Sequence, residues 1–337
     1  PEYVKISKST KICQADDILI ARYGASIGKI LTGLSGAYNV AIMRAIPDTH
    51  MLQKKYLYYY LKSPYFQTAI LNVGSRAAQA GFNKEDLSKL EIKCPLLSEQ
   101  DSIIDILQKV ESIIGKRKKE LIFLGELVKA RFVEMFGTLH DNENGFDIVT
   151  IEDVCSLIKD GTHQTPQYTE DKKEGYKFLS SKDVMSQKVD WTNIKYIPAE
   201  LHEKLYATIK PQRNDILMSK NGVNYGVAAV NDTDEVFDIY VSLALLRPKK
   251  IIDPVFLKCV INNPETKWQF DSSIKGIGVP NLHLGEIKKT RMFLPPIELQ
   301  NQFADFVRAI DKSKVAIKKS LDETQILFDS LMQKYFG

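Results

Sequence analysis

Residues 97–137, LSEQDSIIDILQKVESIIGKRKKELIFLGELVKARFVEMFG, are the most informative part of the sequence, because the chain repeats their pattern at residues 297–337. Identical residues stand 200 positions apart in the two segments, in the pairs Pro95 and Pro295, Gln100 and Gln300, Leu121 and Leu321, and Phe136 and Phe336. An internal repeat of this kind predicts two copies of one structural unit within the chain.

Both segments have the periodicity of a long helix with a narrow apolar seam. In the first segment, apolar residues recur at spacings of three, four and seven, as in a coiled coil: Ile103, Leu107, Val110, Ile114, Leu121, Leu124, Val128 and Met135. The second segment repeats the seam with Phe303, Val307, Ile310, Ile317, Leu321, Phe328 and Tyr335. Some forty residues make a rod of about 60 Å, too long to bury its seam on a small domain. We therefore expect the two helices to pair, antiparallel to each other.

The segments outside the two helices have the mixed patterning of α+β domains. Short strands are predicted at 18–22, 40–44, 216–219 and 243–247, and helices at 55–62 and 255–262, which end before Ser63-Pro64 and Asn263-Pro264. The predicted fold class is α+β: two mixed α/β domains separated by two long antiparallel coiled-coil helices, with a pseudo-two-fold internal repeat. The expected boundaries are 1–96, 97–137, 138–296 and 297–337. The first domain has no counterpart of residues 138–198, so we expect it to lack its N-terminal part.

Matched strands lead into polar, glycine-containing loops at 22–29 and 220–226, and later polar loops follow the predicted helices at 74–83 and 274–281. The sequences of these loops differ between the two domains. Two such frames carrying different loops are suited to recognising two different parts of one long ligand, and the natural ligand of this kind is DNA read as two half-sites. Side chains that contact bases and phosphates are frequent in these loops. The candidate DNA-binding residues are Arg22, Tyr23, Ser26, Lys29, Arg76, Gln79, His163, Gln164, Lys220, Asn221, Asn224, Tyr225 and Lys275.

Composition is consistent with a large soluble protein. The chain has 337 residues, of which 44% are hydrophobic and 26% charged, enough for two or more domains. No signal peptide or membrane span is apparent, and four scattered cysteines outside any metal-ligand spacing suit the reducing cytoplasm. The net charge is only +4, so affinity for nucleic acid has to come from local basic surfaces. One candidate surface is the run of basic residues in the middle of each long helix, for which a solvated helix face is the alternative.

The double architecture resembles the specificity subunit of Type I restriction-modification systems. In that family a target-recognition domain, a conserved long helix, a second recognition domain and a second conserved helix follow one another. The resemblance covers nearly the whole chain and rests on the twin segments Leu96-Leu97-Ser98-Glu99-Gln100 and Pro296-Ile297-Glu298-Leu299-Gln300, the twin helix ends, and the segment Asp160-Gly161-Thr162-His163-Gln164-Thr165-Pro166. The absent front of the first domain departs from the family pattern.

The resemblance implies a non-catalytic protein that recognises a bipartite, asymmetric site in double-stranded DNA. It further implies docking of two modification (methyltransferase) subunits and then of restriction subunits. S-adenosylmethionine and ATP are used by those partners, so no cofactor and no metal are expected for this chain. The long helices would set the distance between the half-sites.

Enzymatic alternatives have weak support in the sequence. Gly24-Ala25-Ser26-Ile27-Gly28-Lys29 is one residue too short for a phosphate-binding loop and lacks the following Ser or Thr. Glu91-Ile92-Lys93 resembles half of a nuclease metal site, but an exposed strand edge is the simpler interpretation. The tyrosines at 56 and 58–60 are expected to pack in the core. A coiled-coil scaffold that binds proteins without DNA specificity stays as the alternative function.

Overall fold

Two helices of 40 residues each, Leu97–Phe136 and Ile297–Phe336, run through the chain at the positions expected from the repeat. The structure is a computed structural model that describes residues 10–74, 81–274 and 280–337. The described chain divides into two compact units. The first extends to Ile122 and resumes at Val315, and the second lies between them. Each long helix therefore contributes one half to each unit.

The first unit contains short strands followed by helices. Its elements are β1 (Lys11–Cys13), β2 (Ile18–Ala21), β3 (Ile30–Leu31), β4 (Gly36–Tyr38), β5 (Ile42–Ala45), α1 (Lys54–Lys62), α2 (Pro64–Gly74), α3 (Lys84–Leu87) and the first half of α4 (Leu97–Phe136). Strands β3, β2 and β5 form an antiparallel sheet in that order, and β1 pairs antiparallel with β4.

The second unit has counterparts of most of these elements and additional strands and helices. Its elements are β6 (Asp147–Thr150), α5 (Ile151–Val154), β7 (Cys155–Asp160), β8 (Tyr176–Leu179), β9 (Lys195–Ile197), α6 (Ala199–Tyr206), β10 (Ile216–Ser219), β11 (Ala228–Val230), β12 (Phe237–Ile239), β13 (Leu243–Pro248), α7 (Pro254–Ile261), α8 (Pro264–Ser273), α9 (Leu284–Lys289), β14 (Arg291–Leu294) and the first half of α10 (Ile297–Phe336). The sheets have the orders β11-β10-β13-β7, β12-β8-β9 and β14-β6. All pairs are antiparallel except β12 with β8.

Within each unit the two helix halves pack antiparallel. In the first unit, Ile104 and Leu107 of α4 share a buried cluster with Met332 and Phe336 at the end of α10. In the second unit, Phe132 and Phe136 at the end of α4 share a cluster with Phe303 and Val307 near the start of α10. Leu107, Phe303 and Val307 belong to the predicted seam, whereas the other residues of these contacts are neighbours of seam positions.

A buried glutamine attaches the start of each long helix to its unit. Gln100 is fully buried; its Oε1 accepts a hydrogen bond from the backbone N of Gln53, and its Nε2 donates to the carbonyls of Met51 and Pro95. Gln300 is also fully buried and makes the corresponding three bonds to the residues 200 positions later, namely Asp253, Ile251 and Pro295. In both units the amide oxygen and the amide nitrogen have hydrogen-bond partners, as buried polar groups require, so the long helix is attached in the same way in each unit.

Several expectations about local structure are met within one or two residues. Tyr56, Tyr59 and Tyr60 are buried in the core of the first unit, as expected for packing residues. The expected strand at residues 91–93 is wrong, because only the corresponding Arg291–Leu294 forms a strand, and its partner is β6. Among the described residues, no strand pairs with the backbone at 91–93. In the part of the chain that the structure describes, no helix is long and apolar enough to cross a membrane.

Candidate nucleic-acid interface

The first candidate loop follows β2 and is folded by its glycines. Arg22 comes directly after the strand, and its Nε donates to the carbonyl of Phe82 at 3.0 Å. The turn at Gly24–Ser26 begins with Gly24 at φ +72°, and Gly28 at φ +79° returns the chain to β3. Positive φ values of this size favour glycine, so the two glycines fix the path of the loop. Tyr23, Ser26 and Lys29 are exposed on it.

The matching loop after β10 has the same backbone path. Gly222 at φ +84° and Gly226 at φ +87° stand at the positions that correspond to Gly24 and Gly28. The backbone N of Lys220 donates to the carbonyl of Ser242 at 2.9 Å, just as the N of Arg22 donates to Ala41 at 2.8 Å. The frames of the two loops are therefore alike, while the side chains they carry differ.

In each unit the first loop is joined to the end of a later candidate loop. Tyr23 forms an isolated antiparallel bridge with Gly81, and Asn221 forms one with Asn281. Arg76, Gln79 and Lys275, the candidates on the later loops, lie outside the described residues. In each unit, the described end of the later loop therefore lies beside the first loop.

The most buried candidate is Lys220. The residue is only 4% exposed, and its Nζ lies 2.6 Å from Oδ2 of Asp160, the last residue of β7. The Nε2 of His163 lies 3.3 Å from the same oxygen, and its side chain is 74% exposed. An ammonium group buried to this extent is stable only when it is paired. Lys220 therefore has a carboxylate partner within the protein, and His163 lies on the outer side of that carboxylate.

Tyr225 is also buried, and it is held by a charged pair. Its hydroxyl donates to the carboxylate of Asp271, and the Nζ of Lys267 lies 3.3 Å from the centre of its ring. Lys267 also forms an ion pair with Asp271 at 2.6 Å. The hydrogen bond from Lys267, followed by that from Tyr225, lowers the pKa of Asp271 below its ordinary value of 3.8. The aromatic side chain is thereby fixed beneath the loop.

The described candidates therefore differ widely in exposure. Tyr23, Ser26, Lys29, His163, Gln164 and Asn224 are exposed, Arg22 and Asn221 are half-buried, and Lys220 and Tyr225 are buried. The Oδ1 atom of Asn221 is buried and accepts no hydrogen bond from any described residue, so the amide has to rotate before that oxygen can meet a base. Contact of these residues with DNA stays a prediction, and the exposed group is the one that DNA can reach without rearrangement.

Asp160 is the residue of this region that the sequence candidates omitted. It stands at the head of the segment Asp160-Gly161-Thr162-His163. Its position immediately before a glycine at a strand end was the available signal. Among residues 10–74, 81–274 and 280–337, no group of three or more His, Cys, Asp or Glu side chains is arranged to hold a metal ion.

Comparison with known proteins places the chain in a family. The family model of the Type I restriction modification DNA specificity domain matches residues 4–122 and 143–325. The MjaVIII specificity subunit of Methanocaldococcus jannaschii, a Type I restriction enzyme subunit, is 22% identical over 347 residues, covering 96% of this chain and 78% of the relative. The EcoBI specificity subunit of Escherichia coli is 22% identical over 346 residues, covering 91% and 72%.

Solved structures support the fold. The S subunit of the Type I restriction-modification system of M. genitalium matches with a TM-score of 0.57 at 15% identity, covering 97% of this chain and 84% of that one. A chain from a structure of a type I R-M system matches with a TM-score of 0.53 at 15% identity, covering 98% and 84%. The predicted α+β fold class, with its internal repeat and long helices, is confirmed. With nearly its full length matched by the family model, the chain belongs to the family of Type I restriction-modification DNA specificity proteins, which determine DNA specificity and do not themselves catalyse a reaction.

Proposed function

We propose that this chain recognises a bipartite, asymmetric site in double-stranded DNA and that each unit contacts one part of it. The observation that carries the proposal is the joining of two polar loops in both units, through Tyr23 with Gly81 and through Asn221 with Asn281. The shared backbone path supports a common mode of docking. The different side chains support recognition of a different base sequence by each unit, since base edges are distinguished by the donors and acceptors that meet them.

In this proposal the exposed residues of the loops make most of the contacts. Tyr23, Ser26 and Lys29 serve the first half-site, and His163, Gln164 and Asn224 serve the second. Arg22 and Asn221 take part at the edges of these surfaces, while Lys220 and Tyr225 support the second loop from beneath. Arg76, Gln79 and Lys275 remain proposed contacts on the later loops. Lysines and arginines bind phosphates independently of sequence, whereas amide and hydroxyl side chains can distinguish bases.

The long helices are proposed to dock two modification subunits and to set the distance between the half-sites, with restriction subunits joining that complex. Large apolar side chains such as Ile106, Ile113 and Leu127 are exposed on α4, and exposed apolar residues at heptad spacing favour a further helical partner. Since its ligand is DNA, the protein is proposed to act in the cytoplasm.

The test is selection of duplexes from a randomised DNA pool by the chain co-purified with its modification subunits. The expected result is one split motif with a fixed gap. A chimera in which residues 138–296 come from a relative should then change one half of the motif and leave the other half unchanged. Absence of any enriched motif, with co-purification intact, would contradict the proposal and leave the coiled-coil scaffold without DNA specificity as the function.

A further inference from the structure

We infer that Asp160 is a positioning residue for DNA recognition by the second unit: its ion pair with buried Lys220 fixes the loop with His163 and Gln164 relative to the loop with Asn221 and Asn224. The inference rests on the proposed function, because it concerns how the second half-site is distinguished. Asp160 needs no contact with DNA for this role.

The sheet brings Asp160 and Lys220 to the same place. Asp160 ends β7 and pairs with Ala244 on β13, and Met218 of β10 pairs with Ala244 from the other side. Residues that are paired across neighbouring strands project from the same face of a sheet, and side chains alternate along each strand. Lys220, two residues beyond Met218, therefore projects on the same side as Asp160. The ion pair extends across the end of β13.

Each partner of this ion pair is the starting point of a recognition loop. Asp160 precedes the segment with His163 and Gln164, and Lys220 precedes the turn with Asn221 and Asn224. Backbone hydrogen bonds also hold the start of both loops, since the N of Gly161 donates to the carbonyl of Leu243 at 3.2 Å and the N of Lys220 donates to the carbonyl of Ser242. A link at this point restrains both loops where they leave the sheet. If either loop shifted slightly where it leaves the sheet, all the exposed side chains on that loop would move with it.

The geometry favours a positioning role for Lys220 over a direct phosphate contact. The side chain of Lys220 is 5% exposed and that of Asp160 is 21% exposed, with 2.6 Å between Nζ and Oδ2. A phosphate could reach this ammonium only after the ion pair had opened. The same oxygen that pairs with Lys220 also lies 3.3 Å from the Nε2 of His163, so Asp160 also contacts an exposed side chain of the proposed interface.

The first unit provides a natural comparison. Arg22 takes the place of Lys220 there. The guanidinium group of Arg22 donates to the carbonyls of Phe82 at 3.0 Å and Val40 at 3.4 Å, and no ion pair joins it to a carboxylate among the residues that the structure describes. The ion pair between Asp160 and Lys220 therefore has no counterpart among the described residues of the first unit. Its removal should affect the second half-site alone.

The test compares Asp160→Asn, Lys220→Met and the double variant with the unaltered chain, each in complex with the modification subunits. Affinity is measured for duplexes that carry single base changes in either half-site, over a range of salt concentrations. A wrong base ordinarily lowers affinity by about tenfold or more. We expect this penalty to fall to about twofold in the second half-site and to stay unchanged in the first. The double variant should be no worse than the poorer single variant, because the two residues act as one unit.

The salt dependence separates positioning from phosphate binding. Loss of one phosphate contact lowers the slope of log affinity against log salt by about 0.9 and weakens all sequences alike. If Lys220→Met produced that pattern with base preference intact, or if both single variants kept full discrimination, the inference would be overturned. A matched control is Glu200→Gln, which breaks the exposed ion pair of Glu200 with Lys204 in the same unit and should change neither property.

A second variant guards against simple misfolding. Asp160→Glu keeps the charge but displaces the carboxylate, so it should retain the thermal stability of the unaltered chain while its discrimination in the second half-site falls part of the way. Unchanged discrimination in this variant, if Asp160→Asn fails to fold, would count against the inference. If the unaltered complex selects no split motif, the proposed function has failed instead, so the two failures are distinguishable.

Discussion

The ring of Phe256 packs edge-on against that of Phe136, with 4.9 Å between the ring centroids. Phe256 lies on α7 and Phe136 ends α4. In the first unit, Tyr56 of α1 packs in the same way against Phe336 at the end of α10, at 5.0 Å. The last turn of α4 thus packs in the core of the second unit, and the last turn of α10 packs in the core of the first. The two contacts are equivalent in the repeat, because Phe256 corresponds to Tyr56 and Phe336 corresponds to Phe136, each 200 residues away.

Truncation of Phe136 should destabilise the second unit. Phe136 is fully buried, and removal of a buried phenylalanine side chain typically costs about 3–5 kcal/mol. We expect Phe136→Ala to lower the free energy of unfolding by about this amount in urea denaturation followed by circular dichroism. Phe123→Ala is the matched control, because Phe123 lies on the same helix but is 66% exposed and should change stability by less than about 0.5 kcal/mol.

Gln300→Ala should also be strongly destabilising, through hydrogen bonds and not through packing. The change leaves the backbone N of Asp253 and the carbonyl of Pro295 without the partners they have at 2.9 and 2.8 Å. One buried polar group left unpaired costs about 1–3 kcal/mol, so we expect a loss of about 2–4 kcal/mol in thermal unfolding. Gln302→Ala, at an exposed position on the same helix, should be close to neutral. Equal effects of the two substitutions would contradict the assigned role.

The charged pair beneath Tyr225 should be visible in an acid titration. The pKa of Asp271 is lowered from 3.8 by hydrogen bonds from Lys267, the larger cause, and from Tyr225. Because the folded pKa lies below the unfolded one, the stability contributed by Asp271 is present above the unfolded pKa and is lost as pH falls through the folded pKa. In carboxyl-carbon NMR titrations, Lys267→Met should raise this pKa toward 3.8, and Tyr225→Phe should raise it less. The reverse order would show that the tyrosine bond is the stronger one.

Lys29→Met tests the exposed basic residue of the first loop. A side chain that neutralises one phosphate contributes about 0.9 to the slope of log affinity against log salt. We expect the variant to lose about that much of the slope and to weaken binding to cognate and mismatched duplexes alike, as measured by titration at several salt concentrations. Lys109→Met, an exposed lysine on α4, is the control. A changed base preference without a changed slope would show that Lys29 acts on bases.

Asn224→Ala tests the exposed amide of the second loop. A side-chain amide that makes two hydrogen bonds to a base discriminates against the wrong base by about 1–3 kcal/mol. We expect the variant to lose discrimination at one position of the second half-site, measured with singly mismatched duplexes, while the first half-site is unaffected. Asn301→Ala, exposed near the start of α10, should leave every position unchanged. Loss at both half-sites would indicate a general defect of the complex.

The described part of the fold was largely predictable where its causes are local. The strand at Ile216–Ser219 and the end of α1 at Lys62, before Ser63-Pro64, follow from apolar runs and proline. The expected strand at 91–93 is wrong because a strand exists only with a partner: Arg291–Leu294 pairs with β6, whereas no described strand pairs with 91–93. For the candidate site, the loops were found from their polar composition, but composition says nothing of which side chain points inward.

The repeat, the two long helices and the matched glycine loops could be predicted from the sequence, because helix periodicity, proline positions and glycine conformations depend on neighbouring residues. The role of each polar side chain depends on tertiary packing. Lys220 and Lys29 are alike in the sequence, yet Lys29 is exposed while Lys220 is buried against Asp160, 60 residues earlier in the chain. A charged group acts according to its solvation and its nearest opposite charge, and both are set by segments that meet only when the chain folds.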